Sequence, residues 1–212
     1  MRIGLISQSC DNKTGIGRIV SSLAAEFVGL GHEVFCAAQF FEGTKANFSK
    51  RHIPRFSSSK GLNKILLDLS GPPFSKSEVD ITHSYGVGKS AQVVSAQSCH
   101  RAGMELLGRY RAGFLERHNF GVYDRVSLYD ERRLLTSLST RKIIAASRLV
   151  KSQIENFYAV RQEHIAVVPN GVDLPLFERL GKQVNRPELR SSVGCSQDDF
   201  LLLFVGNEFG RK

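Results

Sequence analysis

Three short stretches place glycine, turn residues and cations where an anion could be held. The first is Gly15-Ile16-Gly17, which follows an apolar run, Ile3 to Ile6, and a polar loop, Ser7 to Thr14. Glycines ahead of a helix let backbone amides approach a phosphate closely, and the helix dipole favours negative charge there. The spacing is not the dinucleotide fingerprint. G-x-G-x-x-G would need glycine where Val20 stands, and the loop from the strand is too long. A tight turn and a phosphate cradle both fit the two glycines. The second stretch is Val167-Val168-Pro169-Asn170-Gly171-Val172-Asp173, a strand ending in turn residues. Open α/β sheets bind ligands at that edge, and a hairpin or a linker entry would look the same. The third runs from Leu203-Phe204-Val205-Gly206 to Arg211-Lys212. Two cations beyond a strand and a glycine turn could clamp a pyrophosphate.

These residues need a scaffold, and the apolar pattern supplies one. Ile16, Ile19, Val20, Leu23, Ala24, Phe27 and Leu30 form a helical stripe, which Gly31 ends as a C-cap residue would. With Ile3–Ile6 before it and a strand over Val34–Ala38 after it, this is a βαβ unit and implies a parallel sheet. Further strands are expected at Asp80–His83, Val93–Ala96, Lys142–Ala146 and Ile165–Val168. Helix is expected over most of Gly103–Leu138 and again after Ser147, a suitable N-cap. Asp173 to about Cys195 loses periodicity and carries Pro175 and Pro187, so it reads as a linker. Phe200–Val205 then reads as a buried strand. The expected division is a domain over 1–173, a linker over 174–198 and the start of a second domain over 199–212.

Composition narrows the class. With 212 residues and 42% hydrophobic residues the chain can fill a core, and no run approaches the roughly 20 apolar residues a bilayer span needs. MRIGLISQSC lacks the layout of a secretory signal. The reading is therefore a cytoplasmic protein with free thiols, since Cys10, Cys36, Cys99 and Cys195 have no metal-site spacing. The net charge of +9 suits phosphorylated substrates or anionic lipid, or is a solvated basic face. One cluster is Lys45, Lys50, Arg51, Arg55, Lys60 and Lys64; a second spans Arg101 to Lys142. No RNA-binding aromatic signature or zinc-finger spacing accompanies them, so nucleic acid is not an expected partner.

Taken together, GIGRIVSSLAAEFVGLGHEV, IIAASRLVKSQIENFY, IAVVPNGVD and LLLFVGNEFGRK resemble the retaining glycosyltransferases of family four. These have two Rossmann-like domains (the GT-B architecture), and the resemblance is strongest to lipopolysaccharide-core and other cell-envelope sugar transferases. It implies that this chain is the N-terminal half, a Rossmann-like α/β domain with a parallel sheet and helices on both faces. The donor would be a nucleoside diphosphate sugar, a UDP-sugar, used without a metal or other cofactor. By the same resemblance, Gly15 and Gly17 would approach the donor diphosphate, and Arg211 and Lys212 would neutralise it. VVSAQSCHRAG matches the loop that usually carries an acidic residue or histidine near the acceptor, but Gln97 stands there, with His100 three residues later. Glutamine is no general base. Either His100 replaces the usual group, or the alignment is shifted, or the leaving phosphate is the base. His83 and Arg18 are further acceptor-side candidates, with a structural histidine and a solvated arginine as the plain alternatives.

The function implied is sugar transfer to a glycan or lipid-linked acceptor, at the inner face of the cytoplasmic membrane, completed by a C-terminal domain. A nucleotide-binding dehydrogenase domain is disfavoured by the absent third glycine and by the lack of an acidic residue closing the second strand. A degenerate, non-catalytic transferase-like module is the alternative that Gln97 keeps open.

Overall fold

The computed structural model describes residues 1–43, 47–59, 62–63, 65–66, 71–88, 91–111 and 121–204. The chain forms two units, Met1–Asn170 and Gly171–Lys212. Among the described residues the first unit carries nine strands. They are β1 (Arg2–Ile6), β2 (Ser9–Asp11), β3 (Glu33–Ala38), β4 (Phe40–Glu42), β5 (Ser49–His52), β6 (Ile81–Ser84), β7 (Val93–Ala96), β8 (Lys142–Ala145) and β9 (Ile165–Val167). Its helices are α1 (Gly15–Gly29), α2 (His100–Arg111), α3 (Val122–Thr136) and α4 (Arg148–Phe157). Seven strands form one parallel sheet in the order β5-β3-β1-β6-β7-β8-β9, and β2 pairs with β4 in a second, two-stranded parallel ladder. The expected α/β fold with a parallel sheet is thus the observed one.

Register assigns the two faces. Leu5 lies opposite Cys36 and His83, while Ile6 lies opposite Ala37 and Ser84. Side chains alternate along a strand, so these two rows face opposite ways. Leu5 and Cys36, both fully buried, pack with Val20 and Ala24 of α1. Ile6 and Ala37 pack on the other side with Phe74 and Val79. Val94 shares the Ile6 row through Ser84, and with Ile143 and Ile165 it meets Ala102, Leu134, Leu135, Val150 and Ile154 of α2, α3 and α4. Helices therefore cover both faces. Each fully buried leucine or isoleucine removes apolar surface worth about 1.5–3 kcal/mol from water.

Local chemistry sets the helix ends. Thr14 caps α1, its Oγ1 accepting from Gly17 N at 3.0 Å. Gly31, at φ +81°, takes the left-handed conformation that ends the helix, and His32 N donates back to Phe27 O at 3.0 Å. Ser147 caps α4 by accepting from Val150 N at 3.2 Å.

The order of the strands creates one functional consequence. The chain winds β1, β3, β5 in one direction and then β6, β7, β8, β9 in the other. The reversal point lies between β1 and β6. Where two crossovers depart in opposite directions, the loops leave a crevice outside the carboxyl ends of the strands.

The second unit carries two helices, α5 (Leu174–Gln183) and α6 (Arg186–Ser192), inside the stretch whose lost periodicity reads as a linker. Pro175 and Pro187, which look like helix breakers, each sit in the first turn, where a missing N–H breaks no helical bond. Asp173 caps α5 by accepting from Leu176 N at 3.0 Å. Phe200–Phe204 form no strand among the described residues. An apolar strand needs a ladder partner to be one.

Candidate active site

All seven strands of the main sheet are parallel, so the loops that follow β1, β6, β7, β8 and β9 share one rim. The loop after β1 is ordered by polar contacts. The Asp11 carboxylate, 5% exposed, accepts from Lys13 N at 2.8 Å, Thr14 N at 2.6 Å and Thr14 Oγ1 at 3.2 Å. Ser9 Oγ lies 2.8 Å from Thr14 Oγ1. Burial pushes the Asp11 carboxyl upward, but the bonds from Thr14, Lys13 and Ser9 outweigh it, so the group titrates below its ordinary value.

The two glycines of this loop differ. A Cβ on Gly17 would stand 2.5 Å from Thr14 Oγ1 and 2.6 Å from Asp11 Cγ, whereas one on Gly15 would meet nothing within 4 Å. Gly17 is therefore required by the protein's own packing. Gly15 is not, and among the described residues the amides of Gly15 and Ile16 meet no acceptor. Those two donors and the dipole of a 15-residue helix face outward at the carboxyl rim. Arg18 folds back, its guanidinium donating to Asn12 O at 2.9 Å.

Behind the rim lies a buried polar group. His83 is 7% exposed; its Nε2 is 2.8 Å from Ser95 Oγ, and its ring lies 4.8 Å from that of Tyr85. Burial pushes the imidazole down to about 4, so it is neutral at pH 7. Ser84 Oγ donates to Val87 O at 2.5 Å and shapes the turn after β6. Ser7, fully buried directly after β1, has no hydrogen-bond partner for its hydroxyl among the described residues.

The loops after β7 and β9 meet across the end of β8, where Asn170 Nδ2 donates to Gln97 Oε1 at 2.8 Å. The Pro-Asn-Gly turn thus holds Gln97, a residue expected near the acceptor. His100 opens α2. Glu131 of α3 accepts from His100 N at 2.5 Å and Arg101 N at 3.0 Å, and also from the Tyr158 hydroxyl. Burial and then the Glu131 carboxylate raise the Tyr158 phenol above its ordinary value, so it stays a donor. The His100 ring turns inward: its Nε2 is buried, without a hydrogen bond among the described residues, and 3.5 Å from Asp124 Oδ1.

A family profile described as Glycosyltransferase Family 4 matches residues 13–175, which run from the glycine loop through the Pro-Asn-Gly turn. The chain belongs to glycosyltransferase family 4. Among solved structures it resembles WaaG, a glycosyltransferase involved in lipopolysaccharide biosynthesis, at 19% identity and a TM-score of 0.67 over 99% of this chain. A glycosyltransferase from Rickettsia africae ESF-5 (14% identity, TM-score 0.45) and the lipopolysaccharide outer core galactosyltransferase WaaB (14%, 0.39) also match. They cover 91% and 81% of this chain, and 48% and 46% of their own. This chain spans 56% of the length of the WaaG chain. No curated protein sequence matches it. The likeness to WaaG shows the fold, and the family match agrees with the resemblance, three of whose four motifs lie within the matched residues.

Within the family 4 fold, the site residues expected from sequence fall into separate places. Gly15, Gly17 and Arg18 share the first turn of α1; Gln97 is joined to Asn170; His83 lies behind the rim in the sheet; and His100 points toward Asp124. Arg211 and Lys212 lie outside the described residues, as do Lys45, Lys60 and Lys64. Sequence reasoning missed Asp11, Ser7 and Glu131. Asp11 had a signal, D-x-x-T ahead of a helix, which is how an acid and a cap residue share one loop.

Proposed function

We propose that this chain is the acceptor-side half of a transferase that moves a sugar from a nucleoside diphosphate sugar, a UDP-sugar, to an acceptor hydroxyl with retention. The observation that carries the reading is the family 4 fold with two free amides at the α1 N-terminus on the carboxyl rim. In this reading Gly15 and Ile16 face the donor diphosphate, Gly17 keeps that helix end in place through Thr14, and Arg211 and Lys212 add positive charge at the leaving group. Such fixed charge stabilises a departing diphosphate. A second domain, begun by residues 199–212, supplies most of the donor pocket.

Gln97, held by Asn170, orients the acceptor hydroxyl. His100 is turned inward, so the proton of that hydroxyl passes to the oxygen of the leaving phosphate as the new glycosidic bond forms and the old one breaks. The acceptor is a glycan or lipid-linked glycan of the cell envelope, a pathway suggested by the involvement of WaaG in lipopolysaccharide biosynthesis. No helix among the described residues is long and apolar enough to cross a membrane. The +9 charge suits peripheral binding to the anionic inner face of the cytoplasmic membrane. Flotation with phosphatidylglycerol against phosphatidylcholine vesicles tests that element, and equal binding to both would refute it.

The transfer test is product formation from UDP-sugars by protein that includes the sequence following Lys212, beside the 212-residue chain alone. Transfer by the longer protein only is the expected result. Transfer by the short chain overturns the division of labour. A longer protein that transfers from no nucleotide sugar supports the second reading, a non-catalytic module, which Gln97 in place of an acid favours.

A further inference from the structure

The turn after β9 carries a reactive pair that sugar transfer does not use. Asn170-Gly171 is the single Asn-Gly pair in the sequence. The carbon of an asparagine amide is an electrophile, and the main-chain nitrogen of the next residue is a nucleophile within its reach. Closing that ring needs a main chain free to turn, a nitrogen not already bonded, and no side chain on the next residue to crowd the approach.

These conditions meet at Asn170. Residues 168–173 lie outside helix and strand and are exposed. Among the described residues the Gly171 amide meets no acceptor. Gly171 does not take a left-handed φ, and a Cβ there would meet nothing within 4 Å. Neither backbone conformation nor packing requires glycine at this position, but its bare Cα leaves its nitrogen open to attack the neighbouring amide.

Asn12 and Asn185 make the contrast. Both are exposed, and each donates a side-chain bond, Asn12 to Gly43 O at 2.6 Å and Asn185 to Glu188 Oε2 at 3.2 Å. Lys13 and Arg186 follow them, so each nitrogen stands beside a long side chain, and the Lys13 amide is already bonded to Asp11 Oδ1 at 2.8 Å. At Asn170 a single contact opposes the reaction among the described residues. Its Nδ2 donates to Gln97 Oε1 at 2.8 Å, and Nδ2 is the atom that must leave, so ring closure has to break that bond.

We infer that Asn170 is a site of spontaneous deamidation through a succinimide, and that Gln97 restrains it. Hydroxide takes the Gly171 amide proton, the nitrogen bonds to Asn170 Cγ, and the Cγ–Nδ2 bond breaks. Ammonia leaves with a proton from water, which restores the hydroxide. Water then opens the ring at either carbonyl. One opening gives aspartate, and the other gives isoaspartate, whose main chain runs through Cγ. In both products the donor to Gln97 is gone. The inference goes beyond the transferase reading and does not rest on it.

The test is peptide mass analysis of the full chain after incubation at mildly alkaline pH, beside treatment with hydroxylamine, which cuts a succinimide-forming Asn-Gly bond. The Asn170 peptide should convert to its acid forms roughly tenfold faster than the Asn12 and Asn185 peptides, the advantage of a nitrogen with no Cβ beside it. Hydroxylamine should separate residues 1–170 from residues 171–212. G171A, which the open space accommodates, should suppress both reactions. Q97A should speed conversion roughly twofold to tenfold, the worth of one exposed hydrogen bond. Wild type unfolded in urea reports the unrestrained rate even if Q97A does not fold, and should exceed the folded rate by at least that factor. The site is overturned if Asn170 converts no faster than Asn12 and Asn185, or if G171A converts at the wild-type rate. Equal rates in folded wild type, Q97A and the unfolded chain overturn the restraint by Gln97.

Discussion

Asp11, Gly17 and His83 each have a measurable signature. Gly17→Ala drives a methyl into Thr14 and Asp11, and overpacking of that kind costs about 1–3 kcal/mol. Gly15→Ala meets open space in a helical first turn and should hold or raise stability by up to about 1 kcal/mol. Paired thermal melts check both. If Gly15 faces the donor diphosphate, Gly15→Ala should also lower sugar transfer by the longer protein with no loss of stability. His83 predicts a pH response. Its folded value, about 4, lies below the ordinary 6.5, so the unfolded chain binds the extra proton between those limits. Stability is then full above pH 6.5 and falls as pH drops toward 4, at roughly 1.4 kcal/mol per pH unit. His83→Gln should flatten that window in urea titrations run from pH 7 to 4; an unchanged slope would place the proton uptake elsewhere. Asp11, with a lowered carboxyl value, adds its own loss only at more acid pH, as it becomes protonated.

At the level of elements, the rim is held by contacts between segments distant in sequence. Glu131 on α3 satisfies the first two amides of α2 and the hydroxyl of Tyr158 that follows α4. Glu131→Ala removes one acceptor from three donors and should cost about 1–3 kcal/mol. Hydrogen exchange at the His100 and Arg101 amides should rise more than exchange in β1 or β3, and uniform protection would refute the coupling. The Asn170–Gln97 bond works the same way across β8. Here the apolar pattern revealed α1 and most of the sheet strands, because one buried face leaves a clear period. β2, β4 and β5 escaped it. They are three or four residues long, and β5 has no buried residue at all, so no period exists to be read.

For the whole molecule, the sheet and its helices lie within Met1–Asn170, and the second unit exposes an apolar run. Phe200, Leu202 and Leu203 are 88%, 84% and 80% exposed. Such a run promotes association. A chain ending at residue 198 should therefore stay monomeric to higher concentration than the 212-residue chain while keeping the same melting transition for the sheet; sedimentation velocity and thermal melts measure the two.

By itself the sequence determined the α/β class, the parallel order implied by the βαβ unit, the cap residues Ser147 and Gly31, and the family, through motifs spread along the chain. Each of these is written in neighbouring residues, since periodicity and caps act within a few turns. Only the tertiary structure decided where the candidate site residues stand and what they touch. It placed His83 behind the rim, turned His100 toward Asp124 and joined Gln97 to Asn170. Those outcomes depend on burial and on partners many residues away. A side chain's charge and freedom to act are set by the neighbours the fold brings to it, which local spacing does not record.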